Sequence, residues 1–338
     1  MRPVGFYAAE PHYLDHLAPI WHSLDPAERA WFMVGSRDAA AAADRHGIDT
    51  LRMTAARRRQ LASVSHVVVA GYGDMRTMTD RQTRFVFVEH GAGQTYVDSG
   101  LAHPHYAGGR GRGLVDLFLC QGAASAEANR RAYRRAVSVA CGPWKLDRWL
   151  PETPLDRDPC LAISFHWNCQ VVPETRWALP HYRAALPAII EHARSTGWEV
   201  IGHGHPRAWR QLRRLWIDLG VEPVEQFGDV LDRATVYACD NSSTIFEAAA
   251  TGIQPIVLNA PWYRRDVEHG LRFWSHADVG LMVDGPEAWC MALDACRWSI
   301  MPQVAERRRS LVADLYGGLL DGRAAARAAD AIRNILPN

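Results

Sequence analysis

Thr235-Val-Tyr-Ala-Cys-Asp240-Asn-Ser-Ser-Thr-Ile245-Phe-Glu-Ala-Ala-Ala250-Thr-Gly-Ile-Gln-Pro255-Ile-Val-Leu-Asn259 reads as strand, polar turn, short helix, glycine stop and second strand. Val236–Cys239 supply an apolar run, Asp240–Thr244 open the helix, Gly252 closes it, and Ile256, Val257 and Leu258 form the next buried strand. The pattern is a βαβ unit with its polar turn at a strand's carboxyl end. Unpaired helix-start amides, together with Ser242, Ser243 and Thr244, suit a phosphate or diphosphate. The same residues are ordinary helix caps, so capping without a ligand stays open at this point.

Outward from this unit the alternation continues in both directions. Strands are expected at Val4–Ala8, Trp31–Val34, Val67–Ala70, Phe85–Val88, Leu117–Cys120 and Val137–Ala140, with helices at His12–Leu24, Ala39–His46, Arg57–Ser63 and Ser125–Arg135 between them. After Pro151, Pro154 and Pro159 come a strand at Cys160–Phe165, a helix at Pro180–Thr196, a strand at Glu199–Gly202, a helix at Arg207–Leu219 and an extended piece at Val224–Phe227. Beyond the central unit follow a strand at Val279–Val283 and helices at Pro286–Arg297, Pro302–Leu315 and Arg323–Leu336. Two Rossmann-like α/β domains result, residues 1–151 and 152–320, with a C-terminal helix in 321–338. A length of 338 residues at 48% hydrophobic content fits two cores.

A net charge of +1 argues against a dedicated nucleic-acid binder, and only Lys145 among the 38 basic residues is lysine. The seven scattered cysteines include no Cys-x-x-Cys pair, which fits reduced cytoplasmic thiols. The amino terminus enters a strand directly and no apolar run reaches the roughly 18–20 residues of a membrane span, so a soluble cytoplasmic protein is expected.

In open α/β sheets ligands sit beyond the carboxyl ends of strands. Glu89-His90-Gly91 follows one strand, and His90 is a candidate general base against the alternative of a structural histidine. Gly202-His-Gly-His-Pro-Arg207 follows another, where His205 and Arg207 can neutralise a diphosphate. His203 and His205 lack further ligands at metal spacing. Phe165-His166-Trp167 offers cleft-lining rings or a core tryptophan. Asp156-Arg157-Asp158 sits in the proline-rich stretch and is expected to be solvated charge, and Gly108–Gly113 is an exposed basic loop.

These residues carry a resemblance. Val224–Asp232, the Asp240-Asn-Ser-Ser-Thr-Ile-Phe-Glu-Ala run, Gly252–Leu258, His90-Gly91, Gly142-Pro-Trp-Lys-Leu-Asp147, His205-Pro206 and Asp321-Gly-Arg-Ala-Ala-Ala-Arg327 resemble motifs of the CDP-glycerol glycerophosphotransferases, the teichoic-acid polymerase-like family of GT-B fold. The chain departs from the family pattern at Asn241, at Phe165–Asn168 and at Glu247. The resemblance implies two Rossmann-like domains facing each other across a cleft, with the C-terminal helix crossing back to the first. It also implies a metal-independent transferase without a cofactor, moving a glycerophosphate or sugar group from a nucleotide-diphosphate donor, CDP-glycerol or a nucleotide sugar, to an acceptor hydroxyl. His90 would be the base and His205 would stabilise the leaving diphosphate. Gly91, Lys145, His166, Trp167, Arg207, Asp240, Ser242, Ser243, Thr244 and Glu247 would bind the donor, with Asp240 positioning the loop and Glu247 reaching a ribose or sugar hydroxyl. The acceptor, a glycan, wall polymer, protein or modified nucleic-acid base, is left open. A non-hydrolysing sugar-nucleotide epimerase and a catalytically silent nucleotide-sugar-binding protein are the other two readings.

Overall fold

The structure, a computed structural model, describes residues 2–52, 57–79, 82–92, 113–151, 157–170, 175–263, 272–298 and 302–336. These form two compact units. The first takes the chain up to Ala92, from 113 to Leu150 and from Leu315 onward, and the second runs from Pro151 to Asp314. The return to the first unit therefore begins inside the helix Pro302–Tyr316.

The first unit is built on a seven-stranded parallel sheet of β1 (Val4–Ala8), β2 (Arg29–Val34), β3 (Leu51–Arg52), β4 (Val67–Val69), β5 (Phe85–Val88), β6 (Val115–Cys120) and β7 (Val137–Ala140). Its order is β3-β2-β1-β4-β5-β6-β7, so the order reverses between β1 and β4. The central strands are apolar without alternation, Val-Val-Val in β4 and Phe-Val-Phe-Val in β5, because both faces of a parallel sheet are covered. One face packs on the helices Leu14–Ser23 and Ala324–Ile335, and the other buries Tyr7, Met33, Phe87 and Phe118.

Two of the stretches that carried the resemblance meet here. Both Asp147 oxygens accept from the first amides of the C-terminal helix, from Ala324 N–H at 3.0 Å and Ala325 N–H at 2.8 Å. Arg327 then bonds both Asp321 oxygens at 2.9 Å and the Cys141 carbonyl at 2.7 Å. A carboxylate at a helix start satisfies orphan amides and complements the macrodipole. These motifs therefore dock a helix.

The second unit has a six-stranded parallel sheet of β8 (Cys160–Ile163), β9 (Glu199–Gly202), β10 (Glu222–Pro223), β11 (Val236–Cys239), β12 (Gln254–Leu258) and β13 (Leu281–Val283), in the order β10-β9-β8-β11-β12-β13. The reversal lies between β8 and β11, where Val236 pairs with Leu161. The helix after β11 spans Thr244–Ala250, and Gly252 ends it at a φ of 88°. Arg308, itself buried, donates to the Gly252 carbonyl at 3.1 Å and fixes that turn.

Three sequence expectations change. The single helix over Pro180–Thr196 is two, Leu179–Tyr182 and Leu186–Ser195. Pro187 in a helix interior would lack an N–H and strike the Arg183 carbonyl, so it opens the second helix instead. The extended piece expected at Val224–Phe227 is not a strand: the strand β10 lies just before it at Glu222–Pro223, and Phe227, Val230 and Leu231 form the buried stripe of a helix at Phe227–Arg233. Arg157 is not idle solvated charge: it donates to the Leu231 carbonyl at 2.6 Å and the Ala234 carbonyl at 3.4 Å, closing that helix. Asp156 and the Gly108–Arg112 part of the glycine-rich loop lie outside the described residues. All seven cysteines are free thiols, and burial pushes Cys141, Cys160 and Cys296 up to about 12.

Candidate functional site

In the second unit the carboxyl ends of β8, β9 and β11 carry most of the expected donor-binding side chains. Asp240, fully buried, accepts from His166 N–H at 2.7 Å and from Ala178 N–H at 2.8 Å. Burial pushes its carboxyl up to about 6 against those two bonds. Its oxygens are thus engaged in holding the turn after β8, which is a positioning role. The His166 ring follows directly, donating from Nδ1 to the Trp167 carbonyl at 3.0 Å. Burial brings it down to about 4, opposed by backbone bonds, so it is neutral at pH 7.

His205 meets His166 edge to face at a centroid separation of 4.8 Å, and the Arg207 guanidinium lies 5.0 Å from the Trp167 ring centroid. The Arg207 N–H donates to His205 Nδ1 at 3.2 Å. A ring nitrogen that accepts carries no proton, so neutral His205 keeps its proton on Nε2, as a donor. Two imidazoles, an indole and a guanidinium therefore converge at two adjacent strand ends. His203 does not join them. Its Nδ1 is paired with Ser164 Oγ at 3.0 Å, and its main chain follows Gly202, where a Cβ would run into the Trp216 indole. Among the described residues no group of three or more His, Cys, Asp or Glu is arranged to hold a metal ion.

The Ser242–Thr244 hydroxyls form a small network. Thr244 Oγ1 donates to Ser242 Oγ at 2.8 Å, and Tyr237 Oη lies 2.8 Å from Thr244 Oγ1. Ser243 makes no side-chain cap. Glu247, the residue expected to reach a ribose or sugar hydroxyl, is 2% exposed. A side chain one turn into a helix faces inward or outward according to how the helix docks, and the sequence does not specify that.

In the first unit His90 follows β5 by two residues and precedes Gly91, which has a φ of 114°, a conformation open to glycine. Beside its ring lie residues of the segment and helix that follow β1: Tyr13 at 5.1 Å edge to face, His16 at 6.3 Å and His12 at 6.4 Å. His16 is buried. Desolvation, then the charges of Lys145, His90 and His12, hold its imidazole well below the usual histidine range. Lys145 belongs to this unit and also acts on Asp15, whose carboxylate pairs with His46 Nε2 at 3.2 Å. The sequence reading missed His12, Tyr13 and His16, although the rule that singled out His90 applies to them: they follow a strand's carboxyl end.

Two acids complete this edge. Glu89 Oε2 accepts from Gln121 N–H at 2.6 Å and Ser125 Oγ at 2.9 Å, and burial pushes its carboxyl up to about 7. Asp74, in the helix Tyr72–Thr77 that follows β4 and 3% exposed, accepts from Ala9 N–H at 3.3 Å. Burial foremost, with the charge of Glu10, pushes it up to about 7. A carboxyl with a folded pKa above its unfolded value lends stability that is full below about pH 4 and is lost as pH rises through about 7. Asp74→Asn, which cannot ionise, should match the wild type at pH 4 and exceed it at pH 8 by about 1–4 kcal/mol in thermal melts.

No family model matches the chain, and no curated protein matches it at a significant level. Solved structures do. A variant of the wall teichoic acid polymerase TagF soaked with CDPG aligns at a TM-score of 0.71 and 12% identity, over 98% of this chain and 88% of that one. A UDP-N-acetylglucosamine 2-epimerase from Listeria monocytogenes, described as putative, aligns at 0.66 and 15% identity, over 98% and 96% of the two chains. S. aureus MnaA with UDP aligns at 0.66 and 13% identity, over 99% and 98%. The fold is GT-B.

Proposed function

We propose that this GT-B protein is a transferase that moves a glycerophosphate or sugar group from a nucleotide-diphosphate donor to an acceptor hydroxyl. The observation that carries the reading is the convergence of His166, Trp167, His205 and Arg207 at the ends of β8 and β9, with the Ser242 and Thr244 hydroxyls at the end of the neighbouring β11. Arg207 presents a planar fork of donors suited to a diphosphate, and His205 Nε2–H adds a donor where negative charge grows as the donor bond breaks. Hydroxyl donors from Ser242 and Ser243 hold further oxygens. In the first unit His90 takes the proton of the acceptor hydroxyl, and the new bond forms at the phosphorus or anomeric carbon while the nucleotide departs.

The test is a thermal-shift screen against CDP-glycerol and common UDP-, GDP-, CDP- and dTDP-sugars. A donor at about 100 times its Kd should add roughly 2.7 kcal/mol of stability. His205→Ala and the double Ser242→Ala, Ser243→Ala variant should each bind the donor about tenfold or more weakly, since hydrogen bonds to charged oxygens contribute about 1.5–3 kcal/mol. A fall in Tm with unaltered donor affinity would assign those residues to folding alone.

The epimerase is kept as a second reading because Asp74, in the helix after β4, and Glu89, next after β5, are poised near neutrality, as acid–base work on a sugar carbon requires. Solvent deuterium entering a sugar nucleotide without any acceptor would select it. Nucleotide release that depends on an acceptor would select the transferase.

A further inference from the structure

Beneath the strand ends of the second unit lies a chain of polar groups whose donor directions can be assigned one after another. Thr244 Oγ1 donates to Ser242 Oγ at 2.8 Å, which uses the one proton of the threonine hydroxyl. In its 2.8 Å contact with Tyr237 Oη the threonine must then accept, so the phenol donates. At the far end, Ser242 Oγ receives both Thr244 Oγ1–H and Thr244 N–H, the latter at 3.4 Å. Both of its lone pairs are occupied, and its own proton is what the chain leaves over.

We propose that Tyr237 and Thr244 form a one-way hydrogen-bond relay that fixes the Ser242 hydroxyl as a donor to an anionic oxygen of the bound diphosphate. The proposal rests on the donor-site reading above and adds Tyr237 to it as a positioning residue that acts through Thr244. Tyr237 is fully buried, so water does not compete for its bond, while Ser242 retains 9% exposure. Cys239 sits in the same cluster, but burial keeps its thiol protonated and sulfur is a weak acceptor, so it does not divert the chain. Aligned hydrogen bonds polarise one another, which strengthens the last donor. A terminus that can only donate selects phosphate oxygens and rejects ammonium or amide N–H groups.

The test is calorimetric titration of the full chain with CDP, UDP and inorganic pyrophosphate, with cytidine and uridine as phosphate-free controls. Tyr237→Phe keeps the ring and removes the link. It should weaken the phosphate-bearing probes about 3–10-fold and leave the nucleosides unaffected, while Ser242→Ala weakens them about tenfold or more. In the Ser242→Ala background, Tyr237→Phe should change affinity by less than about twofold, because the relay then has nothing to orient. Thr244→Val cuts the chain one link nearer and carries the same expectation should Tyr237→Phe fold poorly. If Ser242→Ala weakens binding while Tyr237→Phe and Thr244→Val do not, or if Tyr237→Phe is equally harmful without Ser242, the relay is overturned and the donor site stands. If the wild type binds none of the phosphate-bearing probes, or Ser242→Ala binds them normally, the donor-site reading itself fails and the relay with it.

Discussion

His90→Ala lowers the transfer rate by about 10²–10⁴-fold, the loss expected for a general base, while donor affinity stays nearly unchanged. The separation follows from which sheet holds which group. His90 follows β5 of the first unit, whereas His166, Trp167, His205, Arg207 and Ser242 all belong to the second. Tyr13, His12 and His16 lie beside the His90 ring, and burial foremost holds the His16 imidazole well below the usual histidine range. The measurement is turnover at saturating donor and acceptor, paired with a separate binding isotherm for the donor. Wild-type turnover in the variant would remove His90 from the mechanism, and a large loss of donor affinity would reassign it to donor binding.

Asp240→Ala costs about 2–5 kcal/mol of unfolding free energy, because two buried main-chain N–H groups lose their acceptor at once and each orphan costs about 1–3 kcal/mol. Those groups belong to His166 and Ala178, so the loss falls on the loop that presents His166 and Trp167. Asp240→Asn should be intermediate: its amide oxygen can replace one acceptor, while its NH2 faces an N–H it cannot satisfy. Urea unfolding reads both variants. Wild-type stability in Asp240→Ala would mean that the loop finds other partners, and the positioning role would fall.

The strands were legible in the sequence because a parallel sheet buried on both faces demands uninterrupted β-branched and aromatic runs, and Val67–Val69, Phe85–Val88 and Val236–Cys239 are such runs. Gly-rich or hydroxyl-rich turns after them marked the strand ends, which is how His90, His205 and the Ser242 turn were found. Helices were legible where apolar spacing was long, and were misjudged where Pro187 divides one and where Phe227–Arg233 is only two turns.

What a side chain does at those ends was decided by tertiary structure. Asp240 read as positioning the loop, but only the fold shows that its oxygens are spent on amides from the loop and helix that follow β8, and Glu247 is nearly as buried. His12 and His16 lie far from His90 in the chain and beside it in space, because β4 alone separates β1 from β5 in the sheet. The Asp74 and Glu89 carboxyls owe their displacement toward neutrality to burial, a property of the packed environment. Local periodicity therefore fixed the two α/β domains, since the backbone's need for paired hydrogen bonds and buried faces is written in short segments, and GT-B was what the motif resemblance implied. The chemistry of the site depended on strand order and packing, which bring together groups that the sequence holds apart.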